Sequence, residues 1–395
     1  PSIKLSTTAL GFVGETISFD AFSFSNLLLQ LLIDFGLNTG LVHRLIQEPH
    51  HRTGLLNAVF CFYLIILFLV FPVIYFLFRV DWVAFQGGHW RVALILASIV
   101  SQNMLAMFFE AIFQSVNKVF ISKWIRVIRT VIEAVLFYWL SYKGSFELLL
   151  VVSVVINFIY ILFLFIFSRR MVPYSIHWKY FSPKTLRSQL SYSFWYFQSM
   201  VAAVIAYNIQ IIVLSHYLTV TQLTIFLLVF RFFEVIRTGM TNFTQVLFPF
   251  ISKLQAQGDW SVLAIRFKRI FIRVFIFSLF IFLGLLWKGH FLFSWWSQYD
   301  TPESKSLFNV YAFYVFLLVI DYVSVVFLLA LKLNKLPALV STTQSFLSLI
   351  ATVFFIQFWG LAGAVWASLA LFASTSLIFN PLYLISQLRK HQVSV

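Results

Sequence analysis

Arg231, Glu234 and Arg237 stand at successive three-residue steps inside the apolar run 220–252. In a helix that spacing keeps all three within about 120° of one face, with two guanidiniums to one carboxylate. Guanidinium forks match phosphate oxygens, and a low-dielectric setting strengthens such pairs, so anion recognition is one reading. A structural ion triad that ties helices together is the other. Asn103, Asn242 and Gln245 add neutral polar groups that could complete a substrate site. Asp34 and Asp321 have no opposite charge one helical turn away. Each needs a partner on another helix or a bound proton, so ion coupling competes with a neutral Asp hydrogen-bonded across helices. Glu110 is a third acid of this kind, whereas Arg129 and Glu133 form an i, i+4 pair that can neutralise itself.

These charges carry weight because of where they lie. Hydrophobic residues make up 61% of the 395 and charged ones only 10%, against roughly a quarter charged in ordinary soluble domains. Continuous apolar runs longer than twenty residues, as at 55–78, exclude the alternating pattern of a membrane β-barrel. Helices remain as the way to satisfy the backbone in hydrocarbon. A charge near the bilayer centre costs about 2.5–3.5 kcal/mol on insertion scales and normally faces a partner or a wet cavity.

Apolar windows between turn and charge signals predict eleven spans, near 20–47, 54–79, 89–115, 118–142, 146–168, 186–216, 220–252, 262–287, 306–332, 336–358 and 361–388. Twenty of the 28 Lys and Arg fall on one side of this ladder and six on the other, with Arg231 and Arg237 inside a span. The basic side is the cytosolic one, which puts the C-terminus in the cytosol. The basic stretch from Arg169 to Arg187 separates an N-terminal bundle (1–168) and a linker (169–185) from a C-terminal bundle (186–395). Six spans follow the linker and five precede it. The expectation is a 6+6 design of two helical bundles around a central cavity, with the first helix lying before this sequence. A native eleven-helix protein with an outside N-terminus is the alternative.

Trp82, Trp90, Trp139, Tyr142, Trp124, Trp178 and Tyr180 read as interfacial anchors, and 287–299 reads as a segment at headgroup level. Ser98, Ser101, Gln102, Asn208, Gln210 and Gln344 suggest, with Asn103, Asn242 and Gln245, a water-lined path. His43, His50 and His51 read as interfacial polar residues rather than metal ligands. The single Cys61 excludes an internal disulfide and a cysteine metal cluster. Asn242-Phe-Thr244 fits the glycosylation pattern only by chance, since it lies within a span. Nucleotide-binding and zincin motifs are absent from the sequence. No catalytic residue, cofactor or metal is expected, nor a nucleic-acid partner, and the chain reads as a transporter rather than an enzyme.

Asp34-Phe-Gly-Leu-Asn-Thr-Gly-Leu-Val-His-Arg44 resembles the end of the second helix of polysaccharide flippases. Val229-Phe-Arg231, followed by Val246-Leu-Phe-Pro-Phe-Ile-Ser252 and Gly258-Asp259, is similar to that family's eighth helix and the loop after it. Trp359-Gly-Leu-Ala-Gly-Ala-Val-Trp-Ala367 is similar to its turn between the last two core helices. Over about 20–388 the chain resembles Wzx-type oligosaccharide flippases of the multidrug/oligosaccharidyl-lipid/polysaccharide exporter superfamily. The resemblance implies alternating access around a central cavity and translocation of an undecaprenyl-diphosphate-linked oligosaccharide, for O-antigen, capsule or a related glycan, across the bacterial inner membrane. A proton or sodium ion would couple transport, and membrane lipids and other polysaccharide-assembly proteins would be partners. A drug/cation antiporter of the same superfamily, or a membrane glycan polymerase or ligase, is the alternative.

Overall fold

The structure, a computed structural model, describes residues 34–79, 90–141, 146–206 and 210–393. The reading of 1–33, together with Trp82, Tyr142, Asn208 and the side chains of Trp90, Trp178 and Gln245, lies outside the described residues. Among the described residues the regular structure is entirely helical. Among the described residues five stretches are long and apolar enough to cross a membrane: Arg52–Leu69, Leu148–Met171, Trp260–Ser297, Pro302–Ala330 and Lys335–His391. This is an all-α polytopic membrane protein, and its contacts divide it into two helical units that meet in sequence between Phe194 and Trp195.

The first unit contains α1 (Leu37–Gln47), α2 (Arg52–Arg79), α3 (Trp90–Ser115), α4 (Val119–Ser141), α5 (Phe146–Met171) and the start of α6 (Pro183–Val204). Helix α3 is its hub and packs on α1, α2 and α5, while α4 packs on α5 from outside. Phe108 and Phe113 on α3 are fully buried, as is Tyr63 on α2. The outer position of α4 follows from its sequence. Phe120, Trp124, Val127, Val131, Val135, Tyr138 and Trp139 all stay exposed, which suits hydrocarbon as solvent and puts both tryptophans on the surface as anchors require.

The second unit continues with α7 (Gln210–Tyr217), α8 (Val220–Gln245), α9 (Leu247–Gln257), α10 (Trp260–Gly284), α11 (His290–Ser297), α12 (Pro302–Ala330), α13 (Lys335–Ser374) and α14 (Ser376–Val393). Helix α12 is the hub, packed on α8, α9, α10, α13 and α14. Burial from lipid gives little hydrophobic gain, so close packing must hold such a bundle. Gly363, Ala364, Ala367 and Ser368 on α13 are buried and let neighbouring backbones approach.

Breaks inside the predicted spans have local causes. The span 220–252 splits at Val246 because Pro249 has no backbone N–H to bond the carbonyl four residues earlier. Helix α8 starts on a reciprocal cap between Thr219 and Gln222, and α12 on one between Thr301 and Ser304 with Pro302 in its first turn. Helix α13 breaks at Trp359 and Gly360, between the predicted spans 336–358 and 361–388. Gly360 has φ 54° and ψ −139°, a conformation that a Cβ disfavours. A second break at Thr375 ends α13. There the Thr375 hydroxyl donates to Gln344 Oε1 at 2.8 Å and the Ser376 hydroxyl donates to the same oxygen. The predicted headgroup segment 287–299 is helical as far as Ser297: a π turn, Leu285–Gly289, joins α10 to α11, and Trp287, Phe291 and Trp295 are exposed.

Candidate functional site

The α8 triad is built by the two-sidedness of its helix. Ile225, Phe226, Val229, Phe230 and Phe233 form the buried face. Phe233 stacks on Tyr311 of α12 with ring centroids 5.3 Å apart and meets Phe308 at 4.8 Å. With that face fixed by aromatic packing, Arg231 and Glu234 turn away from the α12 hub. Arg231 Nη1 donates to Glu234 Oε2 at 2.8 Å, and both side chains keep substantial exposure, 42% and 33%. Arg237 and Asn242 are half-buried and Thr238 is exposed. At about 100° per residue, Asn242 lies about 20° from Arg231 around the axis, and the register position of Gln245 within about 40°. The result is a polar stripe of Arg231, Glu234, Asn242 and the register position of Gln245 on the side of α8 away from its aromatic core, with Arg237 at its edge, about 40° from Phe233 around the axis. Such a stripe needs water or a ligand rather than hydrocarbon.

Asp321 sits in the middle of α12, 6% exposed, and both its carboxylate oxygens accept from Asn380 Nδ2 of α14, at 3.0 and 3.1 Å. Among the described residues Asn380 Oδ1 and the nearby Ser324 hydroxyl are buried without hydrogen-bond partners. Asp34 of the first unit is built alike. Its Oδ1 accepts from the Tyr63 hydroxyl at 2.6 Å, and Oδ2 has no hydrogen-bond partner among the described residues. It immediately precedes a left-handed turn, with Phe35 at φ 49° and Gly36 at φ 68°, that launches α1. Both acids are therefore buried against a neutral donor on another helix, an arrangement that holds a carboxyl in place without fixing whether it carries a proton.

Glu110 differs. Its carboxylate is 3% exposed and accepts from Arg126 Nε at 3.0 Å and from Arg126 Nη2, with the Tyr160 hydroxyl as a further donor. Arg129 lies over the Tyr160 ring, 5.5 Å from its centroid, and bonds Glu133 at 3.1 Å; the Ser153 hydroxyl completes Glu133. These groups join α3, α4 and α5. The charge on Glu110 is matched by a guanidinium sixteen residues later in the chain, beyond the reach of any reading of one helix face.

Other polar candidates serve the scaffold. Gln210 donates to Thr352 Oγ1, to the Ala364 carbonyl and to Ser368 Oγ at 3.1–3.2 Å, so this buried amide staples α7 to both halves of α13 rather than lining a path. Gln344 caps the Thr375 break, and Gln102 donates to the Val154 carbonyl at 3.0 Å. Ser98 and Ser101 return their hydroxyls to carbonyls one turn back. Asn103 is half-buried on α3 in the first unit. His43 is fully buried against Tyr192 instead of interfacial, whereas His50 and His51 are exposed on the turn after α1. Tyr63, Asn380, Arg126 and Tyr160 were not singled out from sequence. Asn380 was the findable one, as a lone amide inside an apolar run.

A family model described as "Polysaccharide biosynthesis protein" matches residues 22–255. The fold is similar to a MATE transporter, VcmN of Vibrio cholerae, in its bent form: TM-score 0.78 at 14% identity, covering 97% of this chain and 92% of that one. A MOP superfamily transporter from Pyrococcus furiosus, whose binding pocket is described as having reverse polarity, matches with TM-score 0.71 at 12% identity over 95% and 86% of the two chains. An outward-facing multidrug resistance MATE family transporter of the MOP superfamily matches with TM-score 0.73 at 12% identity over 99% and 89%. No curated protein matches the chain.

Proposed function

Because the chain belongs to the polysaccharide biosynthesis protein family, we propose that it is a flippase for an undecaprenyl-diphosphate-linked oligosaccharide repeat unit, destined for O-antigen, capsule or a related surface glycan. It carries this substrate across the bacterial inner membrane by alternating access, with its C-terminus in the cytosol. The observation that supports this reading best is the polar side of α8, where Arg231 and Glu234 lie away from the aromatic core and Arg237 follows at the edge, two arginines to one glutamate. Arginine stays charged at any working pH and grips phosphate in bidentate fashion. Glu234 competes for Arg231 and moderates the grip, so that product can leave. Asn242 on the same stripe offers an amide for sugar hydroxyls, while the isoprenoid tail stays in lipid. A drug or cation antiporter calls for an acid-dominated surface where this one is basic.

Binding alone drives no net flipping. Two conformations must present the stripe to opposite sides, and a group whose ion affinity differs between them biases the equilibrium. Asp34 and Asp321, buried against neutral donors, are suited to bind a proton or sodium ion; Glu110 is already compensated by Arg126. In cells lacking the native gene, the Arg231→Ala, Arg237→Ala double variant should lose glycan export at least tenfold with normal amounts of protein in the membrane. Arg→Lys at both positions should restore it only in part. Normal export by the double alanine variant would reduce the triad to a structural device.

A further inference from the structure

Helix α10 carries a second arginine cluster, far in sequence from the transport stripe. Arg266, Arg269 and Arg273 follow one another at i, i+3 and i+7, within about 60° of one face. All three are exposed, whereas the packed face of α10 is formed by Leu263, Phe267, Val274 and Ser278. Along the same outer face the column runs on into Ile276, Phe277 and Phe280, which are 59%, 56% and 80% exposed. A row of cations thus passes directly into a row of lipid-facing hydrocarbon side chains.

The spacing makes this more than a basic loop. Helix α10 contains no acidic residue between Trp260 and Gly284. Arg266 leans over the Phe250 ring at 5.9 Å, and among the described residues no carboxylate pairs with Arg269 or Arg273. After Arg273 the next charge is Lys288, fifteen residues on, or about 22 Å of helix. The hydrocarbon layer is about 30 Å thick. Both charges cannot sit in bulk water beyond the two surfaces of a straight span, so the arginine column is drawn to the edge of the hydrocarbon. There it must reach back to an anion.

We propose that the Arg266, Arg269 and Arg273 column is a binding site for an anionic phospholipid of the leaflet at that end of α10. The phosphate would lie across the guanidiniums and the acyl chains along Ile276, Phe277 and Phe280. Charge complementarity and the continuity of the apolar face identify this occupant: a soluble phosphate ester would leave the aromatic column uncovered, and a zwitterionic headgroup would leave the guanidiniums uncompensated.

The test uses the full chain, purified and placed in nanodiscs of phosphatidylcholine with increasing phosphatidylglycerol, with lipid retention read by native mass spectrometry after release into detergent. The wild type should retain phosphatidylglycerol in preference to phosphatidylcholine. Each Arg→Gln substitution should lower that preference about fivefold, and the triple variant by about a hundredfold, following roughly 1 kcal/mol per basic residue at an anionic surface. The triple Arg→Lys variant, which folds with the same charge, should keep most of the preference. Phe280→Glu should lower retention with the arginines intact. An unchanged preference in the triple Gln variant would overturn the site, as would displacement of the lipid by millimolar inorganic phosphate, which would assign the column to a soluble anion.

Discussion

In the first unit Glu110, Arg126, Tyr160, Arg129, Glu133 and Ser153 meet one another across three helices, and every charge has its counterpart. In the second unit Arg231 and Glu234 pair along one helix, away from its packed face, with Arg237 one turn on, while Asp321 meets a neutral amide. The contrast separates charges tied between helices from charges held along one helix or against a neutral amide. A compensated network stabilises only the arrangement in which it formed, so its loss shows as instability. Charges held along one helix, beside aromatic packing that does not depend on them, can be replaced at little cost to the fold, so their loss should show in transport if they bind substrate as proposed.

The largest effect expected from this contrast is on stability in the first unit. Glu110→Ala removes the hydrogen bonds from Arg126 and Tyr160 and should cost about 2–3 kcal/mol, less than a fully buried pair because Arg126 is 41% exposed. Detergent-denaturation midpoints of the purified chain would show it; a cost under about 1 kcal/mol would mean that the network is dispensable. Gln210→Leu in the second unit removes three hydrogen bonds between α7 and α13 and should cost about 1–3 kcal/mol on the same assay. Asp321→Asn should be the mildest for folding, within about 1 kcal/mol, because an amide can still accept from Asn380. It should nonetheless alter how transport into proteoliposomes depends on an imposed proton or sodium gradient. Unchanged gradient dependence in both Asp321→Asn and Asp34→Asn would remove these acids from coupling.

Much of the helical ladder was legible because hydropathy and punctuation agree. Span 54–79 lies within Arg52–Arg79, and the turn placed between 358 and 361 is the break at Trp359 and Gly360. Breaks without strong punctuation were missed. Thr375 interrupts a predicted span through a side-chain cap from α13. The spacing of Arg231, Glu234 and Arg237 was visible in one dimension; that Phe233 and Tyr311 would fix the opposite face of α8 was not. Partners such as Tyr63 for Asp34 and Arg126 for Glu110 depend on which helices pack together, and single-helix periodicity carries no such information.

Direct binding of an isoprenoid diphosphate to the purified protein tests the central claim, that the α8 stripe holds phosphate. Titration calorimetry or fluorescence with a short-chain undecaprenyl-diphosphate analogue, against the matching isoprenoid alcohol, separates the phosphate contribution from that of the tail. The wild type should prefer the diphosphate at least tenfold. The Arg231→Ala, Arg237→Ala variant should bind both compounds alike while keeping the wild-type denaturation midpoint within about 1 kcal/mol, as expected for partly exposed side chains outside the aromatic core. Retention of the full diphosphate preference in that variant would contradict the claim.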